Sequence, residues 1–539
     1  MKYPVQNLIH TNTVASAIVQ TLIKVGVDSI FGYPGASVLS IYNELSYTTK
    51  INHYLVRHEQ AAVHAAEGYA RSSGKAGVVL VTSGPGFTNT ITGITNAFTD
   101  STPLVVLVGD ISSNNRQGKL FQNVDILSMT QSCSKMSYML KENDDAEQVI
   151  KNAFKVANSG VKGPVVIALP RNILEQKYSK KTLFEIDDKV ITNNYSDIFK
   201  KLTTLICNSK KPLILVGGGA VSASREITDF SIKYKIPVVS TLMGIGVYPS
   251  TNELYMGMIG INGSYVANSA IDNCDLIIAL GAAFSDRSTC KKHNFMNGKK
   301  IVSINLNTIS KDFELEIIAD VKNFLSKYIR SEVLILDNNE WLTQINAIKN
   351  EFIFSENSNE CLHSSYVLAT LSEYTREYSP IVVTDVGQHQ MLTAQFYHFN
   401  EPGKFITSGG LGTMGFGLPA SIGAYIANRN SLVLNITGDG SFQMNLQELA
   451  TCREHNIPVK IIIMNNGYLG MVRQIQDRLY GNRYQVKMTN PDFVKIAEAY
   501  DLFAVRVTNK NELIPAIKLA IDHNGTAIVD IMIDSFEEI

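Results

Sequence analysis

The 539 residues include only six cysteines, Cys133, Cys207, Cys274, Cys290, Cys361 and Cys452, with no Cys-x-x-Cys pair and no histidine at metal spacing. That excludes a disulfide framework and a thiolate metal knuckle, and the thiols are expected to be reduced and mostly buried. No apolar run approaches the roughly 18 residues of a membrane span. The start, Met1-Lys2-Tyr3-Pro4, lacks an apolar signal core. A cytoplasmic protein with no membrane partner is the expectation. Neither sign of charge is in excess: 48 Lys and Arg against 49 Asp and Glu give a formal charge of −1. No global field therefore recruits nucleic acid, and a charged substrate must be held locally.

What is present is apolar material, 45% of residues against 18% charged, enough for well-buried sheets. The length suggests three domains. Short apolar runs alternate with helical stretches, which argues for parallel sheets flanked by helices. The expected strands are 76–81, 104–108, 165–169, 212–216, 276–280, 381–384, 432–436, 459–464 and 527–529. The fold class expected is α/β, three doubly wound parallel-sheet domains at 1–175, 190–335 and 360–539. Polar stretches at 175–196 and 337–360 serve as linkers. The first and third domains read as copies of one fold. The segment from Glu59 to Arg71 reads as a helix with Glu59 in its first turn and alanines that permit close packing.

One constellation carries chemistry. Gly438-Asp439-Gly440-Ser441 follows the apolar run 432–436, and Asn465-Asn466 follows the run 459–464, so both fall where parallel strands end and ligands bind. Magnesium prefers one or two side-chain oxygens together with phosphate and water. Asp439 and Asn466 supply such oxygens, and the Tyr468 carbonyl adds a third. Glycines let the backbone approach a diphosphate, whose charge suits N–H groups at a helix start.

Gly-Asp-Gly closing on Asn-Asn resembles the thiamine diphosphate signature, and Arg57-His58-Glu59-Gln60 resembles the segment whose glutamate meets the aminopyrimidine ring. Further stretches resemble the acetolactate synthase family over essentially the whole chain: Phe31-Gly32-Tyr33-Pro34-Gly35, Thr82-Ser83-Gly84-Pro85-Gly86, Phe121-Gln122, Gly387-Gln388-His389-Gln390-Met391, Gly409 to Gly417, and Met471-Val472-Arg473-Gln474. The resemblance implies a pyrimidine-binding first domain, a middle FAD-type domain and a diphosphate-binding third domain.

It implies roles as well. Glu59 would share a proton with the pyrimidine, and Met414, beside Gly412, would wedge the cofactor into a V, a part suited to a flexible thioether. Pro85 and Asn89 would line the cofactor from the first domain. Val386, Gly387, Gln388 and His389 would line the diphosphate with Asp439, Gly440 and Ser441, while Leu469, Gly470, Met471 and Val472 close over the pyrimidine. Phe121, Gln122, Lys135 and Arg287 would shape the acceptor pocket, the guanidinium pairing a keto acid carboxylate. From the residues alone, Lys135 also reads as a solvated lysine, and Arg287 as a partner of Asp286. Gly217, Gly218, Gly219, Thr241, Leu242, Met243, Asn262 and Asp320 would hold FAD.

The expected activity is decarboxylation of pyruvate and transfer of the hydroxyethyl unit to a second carbonyl, most simply another pyruvate, giving 2-acetolactate. Two departures reshape the acceptor pocket: Ile475 stands where the family usually has tryptophan, and Ile261 where it usually has methionine. They leave open a keto sugar or diketone acceptor. Ala283, Ser285 and Asn305 replace arginine, aspartate and aspartate of the flavin-binding type. The family implies a homodimer at minimum and favours a tetramer, since each cofactor lies between the first domain of one chain and the third of its partner. A regulatory subunit is not legible in the chain.

Overall fold

The computed structural model describes residues 12–113, 120–180, 195–289, 295–333, 336–351 and 362–539. Among the described residues, eighteen strands form three six-stranded sheets in which every strand pairing is parallel. The first holds β1 (Ser29–Tyr33), β2 (Asn52–Leu55), β3 (Gly77–Val81), β4 (Leu104–Asp110), β5 (Met136–Met139) and β6 (Pro164–Pro170). The second holds β7 (Pro212–Val216), β8 (Val238–Ser240), β9 (Tyr255–Met258), β10 (Leu276–Leu280), β11 (Lys300–Asn305) and β12 (Leu315–Ile318). The third holds β13 (Ile381–Thr384), β14 (Phe405–Ile406), β15 (Val433–Gly438), β16 (Lys460–Asn465), β17 (Phe503–Val507) and β18 (Ala527–Met532). Central strands such as β3, β4 and β6 are buried along their whole length. Helices cover both faces, which is why these strands read as unbroken apolar runs.

The first and third sheets share one strand order, β2-β1-β3-β4-β6-β5 and β14-β13-β15-β16-β18-β17. The middle sheet runs β12-β11-β10-β7-β8-β9, the 3-2-1-4-5-6 order of dinucleotide-binding folds. The stretch expected to link the middle and third domains instead contains a helix, Asn339–Glu351. Its Trp341, the one tryptophan in the sequence, is buried and donates to the Pro212 carbonyl at 3.1 Å. Its polar exposed residues hid that anchor.

The helix Glu59–Ser73 lies across Gly417–Ala427 of the third sheet's layer. A Cβ at Gly423 would stand 1.8 Å from the Ala65 carbonyl oxygen, and one at Gly68 would stand 2.0 Å from that of Ala420. Backbone meets backbone there, so the first and third sheets share one continuous apolar core through Ala62, Ala65, Ala66, Phe416, Ala420 and Ile422. Among the described residues no helix is long and apolar enough to cross a membrane. Of the described cysteines, Cys133, Cys274 and Cys452 are buried free thiols and Cys207 is exposed. Cys290 and Cys361 lie outside the described residues.

Candidate active site

The third sheet reverses its order between β13 and β15, and the candidate residues gather at the C-terminal ends of β13, β15 and β16. Such a reversal leaves a crevice for a ligand. Asp439 follows β15 and is 2% exposed. Its Oδ2 accepts the Gly467 N–H at 2.8 Å and the Asn490 amide at 2.6 Å. Burial raises its pKa, opposed by these donors. Asn466 accepts the Tyr468 N–H on Oδ1 at 2.9 Å and donates to Gln388 Oε1 at 3.2 Å. A buried carboxylate among neutral donors calls for a counter-cation. One carboxylate, one amide and a main-chain carbonyl offer it oxygen alone, a set that fits magnesium. Among the described residues no three His, Cys, Asp or Glu side chains gather as a metal cluster.

In sequence, the glycines here suit close approach of a diphosphate. The structure gives two of them a packing role: a Cβ at Gly387 would lie 2.8 Å from His389 Cε1, and one at Gly438 2.9 Å from His389 Nδ1. His389 thus fills the floor under both turns. Burial lowers its pKa to about 3, so the ring is neutral, and its Nε2 has no protein partner. Ser441 Oγ donates to the Val386 carbonyl at 2.8 Å, tying the two strand-end turns together. A Cβ at Gly440 would press on Leu469 and Met488 at 3.1 Å, and one at Gly470 would strike Gln388 Oε1 at 1.7 Å. The helix Gly470–Tyr480, with Met471 in its first turn and Val472 exposed, therefore starts directly against Gln388.

Three residues escaped the sequence reading. Asp385 ends the β13 run as Asp439 ends β15, and that parallel was the available signal. Its carboxylate accepts N–H groups from Val386, Gly415 and Gly417, each at 2.8 Å, and fixes the far side of the loop that presents the half-buried Met414. Burial pushes its pKa up to about 6. Asn490 bridges Asp439 to Asn465 Oδ1 at 2.9 Å, and only an Asn-Pro turn marks it in sequence. Glu448, fully buried, accepts the Arg57 N–H at 2.9 Å from the other domain, a contact no local pattern encodes.

In the first domain, His58 Nδ1 accepts the Gln60 N–H at 3.2 Å and caps the helix that Glu59 begins. Asn89 Nδ2 donates to Glu59 Oε2 at 2.9 Å, and a Cβ on Gly86, the residue after Pro85, would be 3.5 Å from Oε1. Glu59 is thus aimed by its own domain. Gln122 adopts φ 57°, uncommon for a non-glycine residue, with Ser83 Oγ 3.4 Å from its Oε1. Phe121 beside it is 87% exposed.

Lys135 stands elsewhere. Its Nζ donates to the Val156 and Ser159 carbonyls, 2.6 Å each, closing the end of the helix Ala146–Asn158. Helix-end carbonyls lack intrahelical donors, which explains that choice. Arg287 is exposed, and its main-chain N–H, at 2.9 Å, meets the Asp286 carboxylate. Its carbonyl accepts the Ile261 N–H at 3.0 Å, which puts two acceptor-pocket candidates side by side.

In the middle domain the turns after β7 and β10 bind each other: the Gly217 N–H meets the Leu280 carbonyl at 2.9 Å and the Gly219 N–H meets Gly281 at 3.0 Å. Gly218 and Gly219 remain exposed at the order reversal. Asp320, expected at the flavin, caps the helix Val321–Ser331 through the Asn323 N–H at 2.9 Å. Thr241 precedes the turn Leu242–Gly244, and Leu242 packs on the third domain's core. Met243 Sδ lies 3.5 Å from Arg71 Nη2 at the junction of all three domains. The Asn262 carbonyl accepts from Gln395 at 2.9 Å. Asn305 Nδ2 donates to the Ala282 carbonyl at 3.0 Å.

Two sheets of one topology flanking a dinucleotide-type sheet, with an Asp–Asn oxygen site at a strand-order reversal, define a thiamine diphosphate-dependent enzyme. Family models agree in order along the chain: "Thiamine pyrophosphate enzyme, N-terminal TPP binding domain" over residues 12–129, "central domain" over 199–328 and "C-terminal TPP binding domain" over 385–531. The chain is 40% identical to the acetolactate synthase large subunit of Buchnera aphidicola from Acyrthosiphon pisum, covering 97% of this chain and 95% of that one. It is 38% identical to the isozyme 3 large subunit of Escherichia coli K12, with 97% and 95% covered. The chloroplastic acetolactate synthase of Arabidopsis thaliana is also 38% identical, with 96% and 81% covered. The chain belongs to the acetolactate synthase family.

Proposed function

We propose that this enzyme condenses two molecules of pyruvate to 2-acetolactate with loss of carbon dioxide. The observation that carries the reading is near-full-length identity to acetolactate synthases, 40% in one case, together with an intact Glu59, Asp439 and Asn466. These relatives favour a second pyruvate over a keto sugar or diketone as acceptor. Bound thiamine diphosphate supplies a nucleophilic carbon and an electron sink for decarboxylation. Asp439, Asn466 and the Tyr468 carbonyl hold Mg²⁺, while Val386, Gln388, His389, Gly440 and Ser441 hold the diphosphate. Glu59 holds the proton it shares with the aminopyrimidine, oriented by Asn89. Met414, Leu469 and Met471 keep the rings folded, and Val472 closes the pocket. Phe121, Gln122 and Arg287 receive the acceptor. Lys135 is left out of that pocket in this reading.

FAD is proposed for the middle domain: its strand order and the exposed Gly218 suit a dinucleotide, while the Gly217 and Gly219 N–H groups are taken up by the neighbouring turn and Ala283 and Ser285 bring no charge. The domains proposed span 1–175, 190–351 and 360–539. A homodimer at least is proposed, because Val472, Ile475 and Leu479 form an exposed apolar stripe along one helix, near exposed Tyr480 and Tyr484, a surface that needs a partner. The name "large subunit" of two relatives extends the proposal to a smaller companion chain. Activity is proposed to be cytoplasmic. Exchanging Glu59 for Gln tests the site: turnover falls about 10²- to 10⁴-fold, the scale of lost proton transfer, while magnesium-dependent cofactor binding persists. Unchanged turnover removes Glu59 from the mechanism.

A further inference from the structure

We propose that Asn96 and Asp100 of the first domain, backed by Glu67 and Arg71, are positioning residues that hold the third-domain loop carrying Met414. This rests on the reading of Met414 as the wedge that folds the cofactor.

The contacts run in two strands. Asn96 Oδ1 accepts from Ser408 Oγ at 2.5 Å and from Thr413 Oγ1 at 2.9 Å, and Ser408 Oγ in turn accepts the Thr413 N–H at 2.8 Å. Asp100 accepts the N–H groups of Gly409 at 3.0 Å and Gly410 at 2.6 Å. Behind them, Asn96 Nδ2 donates to Glu67 Oε2 at 2.8 Å, and Thr102 donates to Oε1 at 3.2 Å. Arg71 lies 3.4 Å from Glu67 and 3.6 Å from Asp100, and donates to the Thr407 carbonyl at 2.5 Å. Every anchor falls between Thr407 and Thr413, one residue short of Met414. Asp385 grips the other flank at Gly415 and Gly417. Met414, half-buried, stands between two fixed ends.

A purely cohesive role would not call for this chemistry. Two carboxylates share one guanidinium in a buried setting, and burial pushes the Glu67 pKa up to about 7. Such clusters are often no more stabilising than apolar packing of the same shape. What they supply is direction: five loop groups between Thr407 and Thr413 are met from the first domain, four by the acceptors Asn96 and Asp100 and one by the donor Arg71.

The test uses the full-length enzyme with thiamine diphosphate and Mg²⁺. Three measurements are made on N96A, S408A, N96D and M414A: exchange of the cofactor C2 proton with deuterium, turnover, and cofactor affinity. Asn96→Ala and Ser408→Ala are expected to slow C2 exchange and turnover together, by about 10- to 100-fold, the scale of a displacement of order 1 Å. Cofactor affinity is expected to change less than about threefold, because the diphosphate residues are untouched. The N96A/S408A double variant, measured in the same way, is expected to be no worse than the poorer single one, since both break one chain of contacts. Asn96→Asp keeps the acceptor oxygen but loses the donor to Glu67 and sets a second carboxyl group against it, so it is expected to slow exchange as N96A does. Where N96A does not fold, S408A, which removes a single hydroxyl, carries the test. Slowed exchange in M414A with parental exchange in N96A and S408A overturns this proposal alone. Parental exchange in M414A overturns the wedge reading and this proposal with it.

Discussion

Single residues set the electrostatics of this molecule, and two of them give tests of sign and size. Asn490 holds Asp439 without being a ligand candidate itself. Replacing it with Leu removes the donor that orients the carboxylate, and magnesium affinity is expected to fall about 10- to 100-fold, the usual effect of losing such a partner. Titration of the cofactor-loaded enzyme with metal checks this, and unchanged affinity contradicts it. Glu448 has its pKa pushed up to about 7 by burial, from 4.5. The native state keeps a proton that the unfolded chain has lost, so this group lowers stability as pH rises from about 4.5 to about 7. Glu448→Gln removes that slope. The stability of the variant relative to the parent is expected to increase over this window by up to ~1.4 kcal/mol per pH unit, read from urea midpoints at pH 5 and 7. His64 and His389, whose pKa values burial lowers to about 3, bend the parent's profile the other way below 6.5. A flat difference between variant and parent contradicts the assignment.

At the level of elements, the crossing of Glu59–Ser73 with Gly417–Ala427 joins the helix that begins at Glu59 to the helical layer of the third domain. Gly423→Ala places a methyl group 1.8 Å from the Ala65 carbonyl oxygen, which neither rigid helix can accommodate by rotamer change. A loss of about 3 kcal/mol or more is expected, visible as a lower urea midpoint. A parental midpoint contradicts the close crossing. Nine strands inside the three sheets were legible because buried parallel strands carry unbroken Val, Ile and Leu, as in Leu104 to Val108 and Ile461 to Ile463, whereas edge strands such as β2, β5 and β9, only partly buried, were not. The metal side of the site was legible because Asp439 and Asn466 sit at strand ends with telling neighbours. What was not legible depends on contacts distant in sequence: Glu448 meeting Arg57, Asn96 meeting Ser408, and Trp341 anchoring a helix that reads as a polar linker. Lys135 shows the same gap from the other side. Nothing near it in sequence announces the helix end at Val156 and Ser159 that takes its amine.

For the whole molecule, two copies of one topology flank a dinucleotide-type sheet, and the copies divide the labour. One aims a carboxylate from a helix start, and the other holds an oxygen-ligand site at a strand-order reversal. Each also grips the chain next to the other's key residue, Glu448 beside Glu59 and Asn96 beside Met414. The central claim is that this assembly joins two pyruvates. The direct measurement is product identification by mass and NMR after incubating the purified protein with pyruvate, thiamine diphosphate and Mg²⁺ and no other carbonyl compound. The account predicts 2-acetolactate and carbon dioxide in equal amounts, one of each for every two pyruvates consumed. Acetaldehyde as the main product, or pyruvate consumed only when a different ketone or aldehyde is added, contradicts it.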